Sequence, residues 1–428
     1  MSKNDVAWEK FFRRTTALAD IRAKGYCYVS ADDLKHFGER EPRLMAKLDT
    51  IGVCPKVFRD YRMTIFPVRN GQYILFSDPE QRTYFKFGPN GYALRPEVHR
   101  SSVDLSSYDS YPGSQDLNES QAIDFAHLTG LLHRFTNEEA LHLTIRGRGY
   151  SGRFGFRLPF GWHHVDVESV QIEVDSGYEN PSAIYLIEAK LGRRDDFNIR
   201  QLYYPFLEWS RRSSKRIVPL FLTYTNGIYT LTEFEFASRF GELITVRSGS
   251  YLIDETPALQ VNVLQVLAST PQETEHYAPY PQANDLDKVI DLVGAVDRGA
   301  NDKSLIADYF EFDERQGDYY ANAARYLGFL DRSGHMFTTT GYGRALLDTQ
   351  SRQKRTRLLL EQICKRPSLR QILYLLASRE YDLAAIANDE IADIIRQHTG
   401  LSGATVERRA STVRSWLAWL LHNTSVLS

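Results

Sequence analysis

QIEVDSGYENPSAIYLIEAKLGRRDDFNIRQLYYP, from Gln171 to Pro205, is the stretch whose reading decides the fold. Two β-like runs, Gln171–Asp175 and Ala183–Leu191, flank a turn built from Ser176, Gly177, Asn180, Pro181 and Ser182, which reads as two paired strands. Side chains alternate along a strand, so Ile184, Leu186, Glu188 and Lys190 share one face, and Tyr185, Ile187 and Ala189 the other. A strand apolar on both faces belongs inside a mixed sheet. A carboxylate and an ammonium at the end of such a strand are costly to bury unless they are paired or metal-bound. Asp175, at the end of the preceding strand, brings a second carboxylate beside Glu188.

Working outward, the chain has 428 residues, enough for two to four domains. Its 43% hydrophobic and 25% charged residues are those of an ordinary folded protein. A net charge of −2 and a pI near 6.6 exclude a uniformly basic coat, so a nucleic-acid partner must be met by local basic patches. Cys27, Cys54 and Cys364 are widely spaced, make no metal pattern, and point to free thiols in a reducing compartment. The N-terminal MSKNDVAWEKFFRR lacks the apolar core of a signal peptide, and no apolar run is long enough to span a bilayer. A cytoplasmic protein is expected.

Asp175, the Glu188-Ala189-Lys190 triplet and the helical Gln201-Leu202-Tyr203-Tyr204 together resemble the metal-dependent nuclease core of the PD-(D/E)XK superfamily, type II restriction endonucleases in particular. The chain departs from that pattern at Val174, which stands in place of proline. The resemblance implies that Asp175 and Glu188 bind Mg²⁺, with Mn²⁺ as a substitute, and that the carbonyl of Ala189 completes the coordination. Lys190 would orient or deprotonate the attacking water, and Gln201 would hold the site or the phosphate. Glu168 and Glu173 are accessory carboxylates. Glu173 shares a strand face with Asp175 and is the better of the two for a second-metal ligand or a residue that supports the ligands. The implied activity is sequence-specific hydrolysis of double-stranded DNA by a homodimer, with a cognate DNA methyltransferase as companion. Two alternatives stand beside it: a defence or repair nuclease of the same core acting on modified, damaged or structured DNA, and a DNA-binding regulator with an inactive core.

The expected fold is an α/β nuclease core, a mixed central sheet flanked by helices, with an N-terminal α+β module and C-terminal all-α winged-helix-like domains. Residues 1–112 form the N-terminal module. Trp8–Ala23 has helical spacing, Ser30 is a helix N-cap, and Asn70-Gly71 turns a hairpin within Met63–Phe87. Arg40, Arg43 and Lys47 share a helix face that is either phosphate-contacting or simply solvated. Ser101–Asn118 reads as a linker. Residues 113–271 hold the core: a helix over Ser120–Phe135, a β-like LTIRGRGYSGRFGFRLP from Leu143, the decisive stretch, a helix over Asp195–Trp209, and two strands around Asn226-Gly227. Arg146, Arg148 and Arg153, separated by glycines and aromatics, suit close approach to phosphates. His163 and His164 are adjacent strand residues that point opposite ways and do not form a metal pair.

After a polar, proline-bearing linker at Gln272–Asn284, residues 284–348 read as three helices (Leu286–Val296, Ser304–Phe310, Glu314–Leu330) and a short β-like wing at His335–Thr340. The order resembles a winged helix, with Arg315, Tyr319, Tyr320, Asn322 and Arg325 on or near its third helix. Residues 352–428 read as three more helices, and GLSGATVERRASTVRSWLAWLL resembles the recognition half of a helix-turn-helix. There Arg408, Arg409, Ser411, Thr412 and Arg414 are expected near the exposed, DNA-reading face, with Val406, Val413, Trp416, Leu417 and Leu420 as anchors.

Overall fold

The computed structural model describes residues 2–88, 96–111, 117–158, 163–237, 240, 242–254, 261–311, 313–349 and 351–424. The middle of the expected Ser101–Asn118 linker, residues 112–116, and Pro159 at the end of the arginine-rich run lie outside them. The chain folds as a mixed α/β protein in two compact units. One is built from residues 1–95, 118–224 and 229–250, the other from 96–117, 225–228 and 251–428.

The first unit is centred on the sheet that the decisive stretch predicts. Strand Ala183–Leu191 runs parallel to Arg216–Thr225 on one side and antiparallel to Gln171–Glu179 on the other, and His142–Tyr150 lies beyond as an edge. On the far side, Ile228–Phe236 and Leu243–Ile253 extend the sheet. In the second unit, Tyr251–Ile253 pair in parallel with Glu97–His99. Every residue from Ala183 to Lys190 is buried, as an interior strand apolar on both faces requires. Val174, Ile184 and Leu186 pack with Ile145, Trp209 and Ile217 on one face.

The helix expected over Ser120–Phe135 is two helices, Glu119–Leu128 and Leu131–Thr136. Gly130, at φ +82°, breaks it in a left-handed conformation that costs glycine little. Asn118 caps the first of them reciprocally with Gln121: its Oδ1 accepts from the Gln121 N–H (2.8 Å), and Gln121 Oε1 accepts from its N–H (3.1 Å). The helix expected from Asp195 begins later, at Arg200, and runs to Arg212. Asp196–Asn198 is drawn instead into antiparallel pairing with Tyr84–Lys86. Long-range pairing thus overrides local helical preference for three residues.

The N-terminal module shares this unit. Its three-stranded sheet, Tyr26–Ser30, Gln72–Ser77 and Met63–Arg69, contains the expected Asn70-Gly71 hairpin. Phe66, Val68, Ile74 and Phe76 pack into one cluster with Phe154, Phe156, Tyr204 and Phe240. The arginine face expected at Arg40–Lys47 is shorter than its spacing suggested. The helix is only Pro42–Ala46, and Lys47 leaves it at ψ 86° and lies 3.7 Å from Asp49.

The second unit is helical. Leu286–Asp297, Lys303–Phe310 and Glu314–Tyr326 precede an antiparallel hairpin, Leu330–Ser333 with Met336–Thr339. Helices Gly341–Leu347, Arg352–Lys365, Pro367–Ser378, Asn388–Thr399 and Gly403–Asn423 follow. One hydrophobic core runs from Val261 to Leu420, so the segments 284–348 and 352–428 pack around common interior residues. The turn Thr225–Ile228 belongs to this unit. Asp291 accepts from the Thr225 hydroxyl (2.5 Å) and the Asn226 N–H (2.8 Å), and Arg352 donates to the Asn226 carbonyl (2.6 Å). Among the described residues no helix is long and apolar enough to cross a membrane.

Candidate active site

The site is assembled where two strands part. The antiparallel ladder between Gln171–Glu179 and Ala183–Leu191 ends at Ser176 opposite Ile187. On the other side of the Asp175 strand, its pairing with His142–Tyr150 slips: Ile145 faces Gly177, yet Gly147 faces Val174, so an extra residue is accommodated between them. Such a bulge bends a strand and re-aims its side chains. The Asp175 carboxylate accepts from the Ala189 N–H at 2.8 Å through Oδ2, which ties the side chain to the neighbouring strand just past the end of the ladder.

Glu188 and Lys190 are each only 7% exposed. Lys190 Nζ donates to Glu188 Oε1 at 2.7 Å, and Gln201 Nε2 donates to the same oxygen at 3.0 Å. Gln201 reaches it from the second residue of the Arg200–Arg212 helix, whose face also supplies Leu202 and Tyr204 to the core. Burial drives the Glu188 carboxyl up to about 8 against the pull of the Lys190 ammonium, and the charges of Asp175 and Glu119 add to the rise. Gln201 Oε1 is buried without a hydrogen-bond partner.

Asp175, Glu188, Lys190 and Gln201 therefore converge, and the structure adds one residue that sequence reading missed. Glu119 is the first residue of its helix, where the exposed N–H groups favour a carboxylate, and its Oε1 accepts from the Leu191 N–H at 3.3 Å. The only local clue was the Asn-Glu-Ser-Gln capping signature, which predicts a helix start and says nothing of a partner 72 residues downstream. Glu173 is not brought in. It stands exposed, held by Arg148 of the edge strand at 3.1 Å, because the bulge breaks the alternation that would have aligned it with Asp175.

The acidic groups tied to this strand end, Asp175, Glu188 and Glu119, are all oxygen donors. That chemistry suits a hard cation such as Mg²⁺ rather than a soft metal. The orphaned Gln201 Oε1 is an acceptor with no donor from the protein, as beside a water-carrying ion. Each carboxylate is meanwhile tied to a protein donor, and among the described residues no three acidic, His or Cys side chains stand together as a ready cage. Holding such an ion would require Glu188 to leave Lys190 and Gln201 and turn toward it.

The expected DNA-contacting residues divide. Arg148 and Arg153 are well exposed, the second 3.4 Å from Asp166. Arg146 is exposed as well but engaged, bonded to Asp124 and to the Ser176 hydroxyl. In the last helix, Arg408 and Ser411 are exposed, but Arg409 donates to Gln282 and Arg414 clamps the chain before Asn388–Thr399. Arg414 spends its guanidinium on Asn388 Oδ1 (2.6 Å) and the carbonyls of Leu383 (3.0 Å) and Ile386. These two arginines face neighbouring segments of their own unit rather than solvent, and Thr412 is likewise buried on Asn284. Asn322 and Arg325 are buried against each other. His163 stacks on Tyr26 and bonds the Tyr28 hydroxyl, while His164 lies 3.6 Å from Asp166, so the two imidazoles diverge as alternation requires.

Three family models match the chain: residues 5–75, 81–252 and 288–425 match DUF6996, DUF6997 and DUF7226 in turn, each described as a domain of unknown function. The middle match contains the whole cluster from Glu119 to Gln201, and the third runs without a break across both expected C-terminal segments. No curated protein and no solved structure matches the chain.

Proposed function

We propose that this chain is a Mg²⁺-dependent DNA endonuclease of the PD-(D/E)XK kind, in its sequence-specific, restriction-enzyme form. The observation that carries the reading is the meeting of Asp175, Glu188, Lys190 and Gln201 where two sheet strands diverge. The order of elements supports it. Helix Glu119–Leu128, strands His142–Tyr150, Gln171–Glu179 and Ala183–Leu191, helix Arg200–Arg212 and the parallel strand Arg216–Thr225 follow the arrangement of the resembled core.

Asp175, Glu188, Glu119 and the Ala189 carbonyl would hold the ion. When bound, it supplies charge stabilisation to the phosphoryl oxygens and lowers the pKa of the attacking water. The chain's own residues do the rest. Lys190, relieved of Glu188, would stand beside the scissile phosphate, orienting the water as the ammonium or, once deprotonated to the neutral amine, taking its proton. Gln201 accepts a hydrogen bond from that water through its unpartnered oxygen. Arg148 and Arg153 grip phosphates on the exposed edge. In the helical unit, the three helices and hairpin of Leu286–Thr339 resemble a winged helix and would contribute base readout with Arg408 and Ser411. A homodimer would cut both strands, and a methyltransferase would protect the host site.

The test is incubation of a plasmid with the full chain and Mg²⁺, beside Glu188→Ala. Discrete fragments with 5′-phosphate ends, abolished in Glu188→Ala while binding persists, are expected. Nicking or degradation confined to modified or damaged DNA would move the reading to another substrate of the same core. Binding without cutting under any condition, or cutting that survives Glu188→Ala, refutes it.

A further inference from the structure

We infer that Asn198 is a positioning residue that places Gln201 beside Glu188, an inference that rests on the nuclease reading of the same site. Gln201 sits in the first turn of its helix, so where that helix starts decides where its amide falls. The cap position is occupied by Ile199, which is buried and has no side-chain acceptor for the N–H groups that a helix start leaves open. Asn198, one place earlier, supplies one: its Oδ1 accepts from the Arg200 N–H at 3.0 Å. Its Nδ2 donates to the Leu48 carbonyl at 3.0 Å, and its N–H to the Asp49 carbonyl at 2.7 Å. A side chain only 2% exposed is thereby bonded on one side to the helix and on the other to the N-terminal module.

The neighbouring contacts come from the same module. The Ile199 N–H donates to the Thr83 carbonyl (3.0 Å), Asp196 accepts from the Ile51 N–H (2.6 Å), and Arg200 stands 3.7 Å from Asp49. The Leu48 carbonyl also receives the Tyr84 hydroxyl at 3.0 Å, so the acceptor that Asn198 uses is itself fixed. None of these partners lies on the strands that carry Asp175, Glu188 and Lys190. From Asn198 the backbone leads directly to Gln201, whose Nε2 donates to Glu188 Oε1 at 3.0 Å. A group that must aim at both a carboxylate and a water works only when held to within about 0.5 Å. The module's grip at Asn198 therefore acts on the reacting groups through Gln201.

Asn198→Ala and Asn198→Ser in the full chain, alone and combined with Gln201→Ala, test this. Asn198→Ala loses the side-chain bonds to both Arg200 and Leu48. Well below its melting temperature, its kcat for plasmid cleavage is expected to fall about tenfold, with KM for the DNA unchanged. Asn198→Ser keeps a hydroxyl that accepts from the Arg200 N–H, and its kcat falls only about threefold. In the Gln201→Ala background either substitution changes kcat by less than about twofold, because the group it positions is gone, while the drop in melting temperature stays the same. A residue that only holds the fold together would lower kcat by the same factor in both backgrounds. Should Asn198→Ala not fold, Asn198→Ser carries the same comparison. Should Gln201→Ala cut too slowly to measure, the kcat fall at constant KM, partly recovered by serine, decides. An unchanged kcat in the Asn198 variants, or a loss that multiplies fully into Gln201→Ala, overturns the inference. If Glu188→Ala still cuts, the nuclease reading itself has failed and the inference with it; if Glu188→Ala is inactive and the Asn198 and Gln201 losses multiply, the reading stands and the inference alone falls.

Discussion

Cation binding at Glu188 should be coupled to proton release. With its carboxyl raised to about 8 by burial, Glu188 is protonated at neutral pH. At pH 7 such a group holds its proton in roughly nine molecules of ten. A divalent ion binds the carboxylate and not the acid, so each ion taken up expels close to one proton. Apparent Mg²⁺ affinity should therefore rise about tenfold per pH unit up to about pH 8 and level off above it. Calorimetric titration in two buffers of different ionisation enthalpy measures the proton count directly, and Glu188→Gln, with no proton to give, is the control. The same shift fixes a stability window. The unfolded chain releases this proton near 4.5, while the folded protein keeps it to about 8. The contribution of Glu188 to stability is thus full below about 4.5 and is lost as pH rises through about 8, and Glu188→Gln removes that slope. An Mg²⁺ affinity that is flat from pH 6 to 9, with no buffer-dependent heat, would refute the assignment of Glu188 as both buried acid and ligand.

Glu119→Gln should weaken Mg²⁺ affinity about tenfold while leaving the melting temperature nearly unchanged, since the helix start is capped by Asn118 and Gln121; calorimetry and a thermal melt together check it. Arg414→Ala should cost about 2–3 kcal/mol of stability in chemical denaturation, having lost its bonds to Asn388, Leu383 and Ile386, with DNA affinity reduced no more than folding explains. Arg148→Ala should do the opposite, changing stability by less than about 0.5 kcal/mol and lowering the salt dependence of DNA binding by about one unit of slope. Asp291→Asn should flatten the pH dependence of unfolding. Burial raises the Asp291 carboxyl from 3.8 to about 7, so its contribution is full below about 3.8 and fades as pH rises through about 7.

Much of the candidate site could be read from the chain because it lies within one local motif. Glu188 and Lys190 are two residues apart on a strand, and alternation alone puts them on one face. Gln201 follows on the next helix, near enough that the shift of the helix start from Asp195 to Arg200 did not displace it. Glu119 was beyond reach because its place depends on a helix packing against a strand far along the chain. Glu173 was misplaced for a related reason: strict alternation holds only in a regular ladder, and the bulge opposite Ile145 and Gly147 is a property of two strands together. The tail shows the same limit. Arg408, Arg409, Ser411 and Arg414 look alike as polar positions of one amphipathic helix, yet the structure exposes Arg408 and Ser411 and commits Arg409 and Arg414 to internal acceptors.

The sequence by itself determined the buried strand Ala183–Leu191, the hairpins at Asn70-Gly71 and Asn226-Gly227, the helix–helix–helix–hairpin order of Leu286–Thr339, and the shared face of Glu188 and Lys190. Each follows from periodicity, turn chemistry or capping, which act over a few residues. Only the tertiary structure decided that Asp175 bonds across to Ala189, that Glu119 joins the same strand end, and that the C-terminal helices close around one core. Those arrangements depend on which distant surfaces meet and which buried polar groups find partners there, a choice made by packing and desolvation across the whole fold.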